Sequence, residues 1–254
     1  MWIAAALLVE LAGCGDDVGI VADAGEDARV VADAAAPLPT DFACIGRVVW
    51  PLAPAPTLAV SIRFYWPGAW LGGMDHTGFA GLLVNVCAAD TDCTDSALTD
   101  ALGDAHLTLP TPGTGFDGYL YATAPGRIPM RVWLYPPIAD ASNRWLDPAH
   151  QKAVLSAMNV ELLHGGAWTY DASRATVIAT TINCAGELTD APFVTLDGVA
   201  PPFARAGDSV WFDVSPGTRE LLATLPDTGE EIARIAVQAR AGEIAALNFG
   251  PMPR

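Results

Sequence analysis

"GDSVWFDVSPG", Gly207 to Gly217, admits two readings. As Gly-Asp-Ser it offers Ser209 as the nucleophile of a hydrolase. As a pattern it is a β-strand between turns, because Val210, Phe212 and Val214 alternate with Trp211 and Asp213 at period two. A serine nucleophile needs a base and an orienting acid held by geometry, and no histidine follows His164. Gly-Asp before a strand suits a tight turn, glycine by tolerating positive φ and aspartate by bonding nearby amides. "GDAHLTLPTPG", Gly103 to Gly113, repeats the order of Gly-Asp, alternating strand and proline turn, with Ala105 where Ser209 stands. One supersecondary unit used twice accounts for both stretches. A position that alanine fills in the sister unit reads as structural, so no catalytic residue is expected; a hydrolase is the remote alternative.

The surrounding sequence has the same texture. "CIGRVVWPLA" from Cys44, "TLAVSIRFYW" from Thr57, "AGLLVNVCAA" from Ala80 and "RVWLYPP" from Arg131 are short runs rich in branched and aromatic residues. "RATVIATTINC" from Arg174, "RELLATLP" from Arg219, "RIAVQARAG" from Arg234 and "IAALNFGP" from Ile244 continue the pattern. Twenty prolines and 24 glycines punctuate them. Many short strands at close spacing predict antiparallel β-sandwich architecture, in two regions, 42–140 and 174–254. Between them, residues 141–173 carry one helical pattern. Asp147 suits its N-cap and Pro148 its first turn. Val154, Ala157, Met158 and Leu162 share a face, and Gly165 stops it.

The turn-strand-turn units, with "INCAGELTDAPFVTLDG" leading into the second, resemble the carboxypeptidase regulatory-like domains. That resemblance covers roughly 174–250, and roughly 42–138 with an insertion around Gly68–Gly81. It implies two small Greek-key β-sandwiches of transthyretin-like (prealbumin-like) fold, close to starch-binding-like folds.

The N-terminus "MWIAAALLVELAGC" is too short an apolar run to span a bilayer, which needs about 20 residues, but has the length of an export signal. Leu11-Ala12-Gly13-Cys14 resembles the lipobox of bacterial lipoproteins. The resemblance implies a signal peptide over 1–13 and lipidation of Cys14. It departs from the pattern in having no basic residue before the run and in Glu10. Residues 14–41, with seven acids after Cys14 against Arg29, predict a disordered tether. The expected place is outside the cell membrane, anchored by lipid at the outer membrane or cell surface.

Export changes how the other cysteines read. Cys44, Cys87, Cys93 and Cys184 allow three pairings in an oxidising compartment. The short spacing in "CAADTDC" favours Cys87–Cys93, leaving Cys44–Cys184. Zinc fits poorly, because there is no CxxC and His76, His106, His150 and His164 do not cluster with the cysteines. Asp90, Asp92 and Asp95 form a weak calcium candidate. Counted from Asp90, an EF-hand's glycine and bidentate glutamate positions hold Asp95 and Ala101. No cofactor is expected.

The net charge of −16, with Lys152 the single lysine among 13 basic residues, argues against nucleic acid as a partner. "RFYWPGAW" concentrates Tyr65, Trp66 and Trp70 beside glycine and proline, a composition that covers the end of a sandwich or contacts a partner or a sugar. The function expected is therefore a non-enzymatic surface lipoprotein with a structural, adhesive or protein-contact role. A carbohydrate-binding module using residues 64–70 is the alternative.

Overall fold

A computed structural model describes residues 40–49, 52–66, 77–89, 92–113, 115–135, 137–140, 152–165, 169–205 and 207–251. The signal, Cys14, nearly all of the tether and the expected helix start at Asp147 lie outside them.

The period-two runs become strands. The first half gives β1 (Thr57–Tyr65), β2 (Leu83–Ala89), β3 (Asp92–Leu98), β4 (Asp104–Pro110), β5 (Tyr119–Thr123) and β6 (Met130–Trp133). After β7 (Lys152–Ala153) and α1 (Ala157–Leu163) come β8 (Ala175–Thr181), β9 (Phe193–Leu196), β10 (Phe203–Arg205) and β11 (Asp208–Val214). β12 (Gly217–Thr224), β13 (Glu231–Ala239) and β14 (Ile244–Phe249) complete the chain order. The fold is mainly β, built from open sheets.

The strands form three sheets, ordered β4-β1-β7, β10-β11-β8-β14-β6-β5-β2-β3, and β13-β12-β9. The eight-stranded sheet lies between the other two and draws on both β-regions. On one face Val84, Leu120, Val132, Val210 and Ile244 pack against Val60, Ile62 and Leu107 of β1 and β4. On the other, Val177, Trp211 and Leu247 pack against Leu221, Val194 and Ile235 of the third sheet. Strict alternation suffices for β1 and β4, each with one buried face. β8 and β14 are buried on both sides and read as nearly continuous apolar or small runs, interrupted in β14 by Asn248.

Most pairings are antiparallel, as the sequence predicts. The exceptions are β1–β7 and both pairings of β14, which lies parallel to β6 and to β8. Through β6–β14 the two β-regions meet edge to edge. Phe42 and Ile45, at the start of the first region, sit in the core of the second.

β11 departs from simple alternation. Its register with β8 shifts between Trp211 and Val214, where Asp213 takes a φ of 55°. The extra residue changes the phase, so Val214 joins Trp211 in one core while Val210 faces the other. The sister units do share a positive-φ glycine at each end, and their opening glycines match closely. Gly103 and Gly207 have φ of 83° and 86°, and Gly113 and Gly217 close their units at 64° and 130°.

Two expectations need correction. Asp147 lies outside the described residues, and the described helix does not reach back toward it. Val154 N–H donates to Tyr65 O and Leu155 O accepts from Ile128 N–H, so the residues before α1 are held as extended chain. Ser156 is the N-cap: its Oγ accepts from Asn159 N–H while Asn159 Oδ1 accepts from Ser156 N–H. The buried face carries Asn159 and Val160, and Met158 and Leu162 are 64% and 54% exposed. The described part of "CIGRVVWPLA" is turn and irregular chain instead of strand. It is held there by the Cys44–Cys184 disulfide and by Cys184 N–H donating to Asp41 O.

The second disulfide, Cys87–Cys93, joins the paired strands β2 and β3. The two bonds close loops of very different size, with sequence separations of 140 and 6. On loop-closure entropy, replacing Cys44 and Cys184 by serine lowers stability by about 5 kcal/mol, and replacing Cys87 and Cys93 by about 2 kcal/mol. Urea denaturation of the two double variants checks the order. A Cβ on Gly103 would lie 2.2 Å from Phe64 O, whereas one on Gly113 meets nothing. Gly113→Ala is expected to lose about 1 kcal/mol and Gly103→Ala at least about 3 kcal/mol, read from the same denaturation midpoints.

Candidate functional site

Ser209 lies near the start of β11, opposite Ala179 on β8 and Ala204 on β10, and is buried like its sister Ala105. Neither described histidine serves it. His106 Nε2 is 3.8 Å from Asp100 on the first sheet. His164 makes an edge-on contact with Phe212, which packs on the opposite core from Trp211 and hence on the opposite face from Ser209. The preceding Asp208 accepts a hydrogen bond from Thr180 Oγ1 across the ladder. Nothing in this arrangement prepares Ser209 to attack a substrate.

The described part of the acidic stretch is strand. Asp92 and Asp95 lie on β3, at an edge of the large sheet where charges discourage unwanted pairing; Asp90 is outside the described residues. Asp95 Oδ2 accepts from Thr108 N–H at 2.6 Å and so bridges β3 to β4 across two sheets. Asp100 Oδ1 accepts from Leu102 and Asp104 N–H, closing the turn before β4, and these backbone bonds hold its carboxyl below the usual range. Among the described residues no three His, Cys, Asp or Glu side chains converge as a metal site would need.

The aromatic segment divides. Tyr65 ends β1 buried inside the first core. Burial, helped by the charge of Asp208, pushes its phenol up to about 12. Trp66, one residue on, is 39% exposed. It stacks on Phe79 with centroids 4.6 Å apart, and the Arg127 guanidinium lies over its ring at 4.4 Å. Trp66 with Arg127 is thus a partly desolvated cation–π pair at the surface, a group suited to protein contact. Trp70 lies outside the described residues.

A second charged cluster sits where the β-regions join. Arg131 Nε donates to Glu243 Oε2 at 2.6 Å, and the guanidinium lies over Tyr119 and Tyr121 at 4.8 and 4.9 Å. Tyr121 Oη reaches Glu243 Oε1 at 3.4 Å. Sequence reasoning missed it because Arg131 and Glu243 are 112 residues apart.

No protein-family model matches the chain, and no curated protein matches it in sequence. Solved structures share part of its shape, three of which follow. The Bacillus anthracis TIE protein overlaps with a TM-score of 0.26 at 10% identity, over 78% of this chain and 34% of that one, so this chain spans about a third of its length. The minor pilin of Streptococcus agalactiae gives 0.22 at 10%, over 79% and 98% of the two chains. The shaft pilin SpaA of Lactobacillus rhamnosus GG gives 0.25 at 12%, over 78% and 99%. Overlaps this loose assign neither family nor activity. The class that stands on the chain's own geometry is a mainly β protein with two disulfides.

The Tyr65 phenol carries a pH dependence. A folded value of about 12 against 10.0 unfolded stabilises the fold fully below pH 10. That contribution is lost as pH climbs from 10 toward 12, by roughly 1.4 kcal/mol per pH unit. Tyr65→Phe is expected to flatten this alkaline loss, measured by denaturation midpoints through that window, with phenolate absorbance as the companion readout.

Proposed function

We propose that this chain is an exported, lipid-anchored β-protein whose work is contact and not catalysis. It is a surface component with a structural, adhesive or protein-binding role. The observation that carries this reading is the pair of disulfides, Cys44–Cys184 and Cys87–Cys93. Such bonds form and persist in oxidising compartments, which agrees with the export signal read over 1–13. Cys14 takes the lipid, and its acyl chains, at about 0.8 kcal/mol per buried CH₂, hold the chain to the outer membrane. The acidic stretch 14–41 spaces the folded part from that surface by self-repulsion. The regions 42–140 and 174–254 act as two β-sandwich units that share a sheet. The seat of Ser209 supports a non-enzymatic reading.

A second reading, carbohydrate binding, is favoured by one observation, the exposed part of the Trp66 ring. With Tyr65 in the core, it falls to Trp66 and Trp70.

Metabolic labelling with a fatty acid tests the anchor. The native chain is expected to take up label and sediment with membranes, and Cys14→Ala to do neither; an unlabelled native chain overturns the anchor. A serine-reactive activity probe is expected to leave Ser209 unmodified, and Ser209-dependent labelling overturns the non-enzymatic role. Glycan binding lost in a folded Trp66→Ala variant selects the carbohydrate reading.

A further inference from the structure

The second core does not fill its own end. Ser209, two residues before Trp211, shares its face of the large sheet. Ala204 stands directly opposite on β10 and Ala179 on β8. Ser209 and Ala204 are both small, and a cleft of about 380 Å³ opens between them on one side and Phe193, Val194 and Pro201 on the other. That volume lies in the lower range of binding pockets, with mostly apolar walls and few polar groups. Ser209 is only 7% exposed, and its hydroxyl has no hydrogen-bond partner among the described residues. That hydroxyl is open to the cleft, so a polar group seated there can hydrogen-bond to it in place of water.

Beside the cleft the sheet is open. β10 is its edge strand. Residues 206–207 link β10 to β11, with Arg205 opposite Asp208. The pair that closes a two-residue loop is a hydrogen-bonded one, so the next pair, Ala204–Ser209, is not. The N–H and C=O of Ala204 therefore point away from β11, and neither has a partner among the described residues. Ala204 is exposed, and so are Phe193 on the facing wall and Val199 next to it.

We propose that this edge accepts an extended segment of a partner protein as an added strand, with a tyrosine of that segment seated in the cleft over Ser209. Only an extended backbone supplies the alternating donors and acceptors that Ala204 lacks. The residue of an added strand opposite Ala204 projects its side chain on the face of Ala204, into the cleft. A tyrosine lays its ring against Phe193 and Pro201, and its hydroxyl meets Ser209. The chain's −16 charge excludes acidic segments and favours basic ones. This deepens, and rests on, the reading of the chain as a contact protein. The anchor is tested by labelling, so failure here leaves it untouched.

The test is an NMR titration of the isotope-labelled full chain, carrying Cys14→Ala for solubility, with the capped peptide Thr-Val-Tyr-Val-Arg. Saturable shifts are expected at the amides of Phe193, Ala200, Ala204 and Ser209. Replacing the peptide's tyrosine by alanine is expected to weaken binding about tenfold, and its arginine by glutamate about threefold. Ala204→Trp fills the cleft and Ala204→Pro removes the edge donor. Each is expected to weaken binding about tenfold or more with the melting temperature unchanged, because Ala204 is exposed. Absence of saturation, shifts centred elsewhere, or equal affinity in both Ala204 variants overturns the proposal. So does a response at these amides to glucose or N-acetylglucosamine without one to the peptide, which makes the cleft a sugar site.

Discussion

β14 is the strand on which the other layers depend. All six of its residues are buried, and it lies parallel to β6 on one side and β8 on the other. Ile244 and Ala246 enter one core, and Ala245, Leu247 and Phe249 the other. Without it β6 and β8 would each become an open edge, and both cores would lose part of their common wall. A parallel ladder needs a crossover connection, because a hairpin cannot reach. The chain meets that need by passing through β12 and β13 in the third sheet before returning as β14.

The Arg131–Glu243 pair sits at the same joint, one partner on β6 and the other just before β14. Nearly buried charges are tolerated only when well paired, and here the guanidinium also lies between two tyrosine rings. Sliding β14 along β6 would separate the pair, so the cluster helps to specify register. Phe42 and Ile45 pack into the second core, and Cys44–Cys184 ties their segment there. What is left for contact lies at the margins: the Trp66–Arg127 pair, and the cleft beside β10. The serine that first reads as a nucleophile shapes that cleft by its lack of bulk.

Strands were legible wherever one face is buried. The alternation in "LAVSIRF" and "HLTLP" is imposed by one apolar and one wet side, and both runs form strands. Asp92–Leu98 was not legible, because an edge strand can carry acids where a loop would. Nor was the three-residue β10, which carries too few side chains to show a period. The cap of α1 at Ser156 was not legible, because a capping pattern cannot tell whether strand pairing has already claimed residues beside it.

The sequence by itself determined the β class, the paired turn units and the glycines that close them. It also pointed to Ser209 as a structural position, through Ala105. These follow from local sterics and from the period of a half-buried strand, both of which act within a few residues. Only the tertiary structure decided that the two β-regions share one sheet, that Arg131 meets Glu243, and that Tyr65 turns inward while Trp66 turns out. The cleft beside Ala204 belongs to the same group. Those outcomes depend on which strands become neighbours, a choice between surfaces far apart in the chain that no local pattern records.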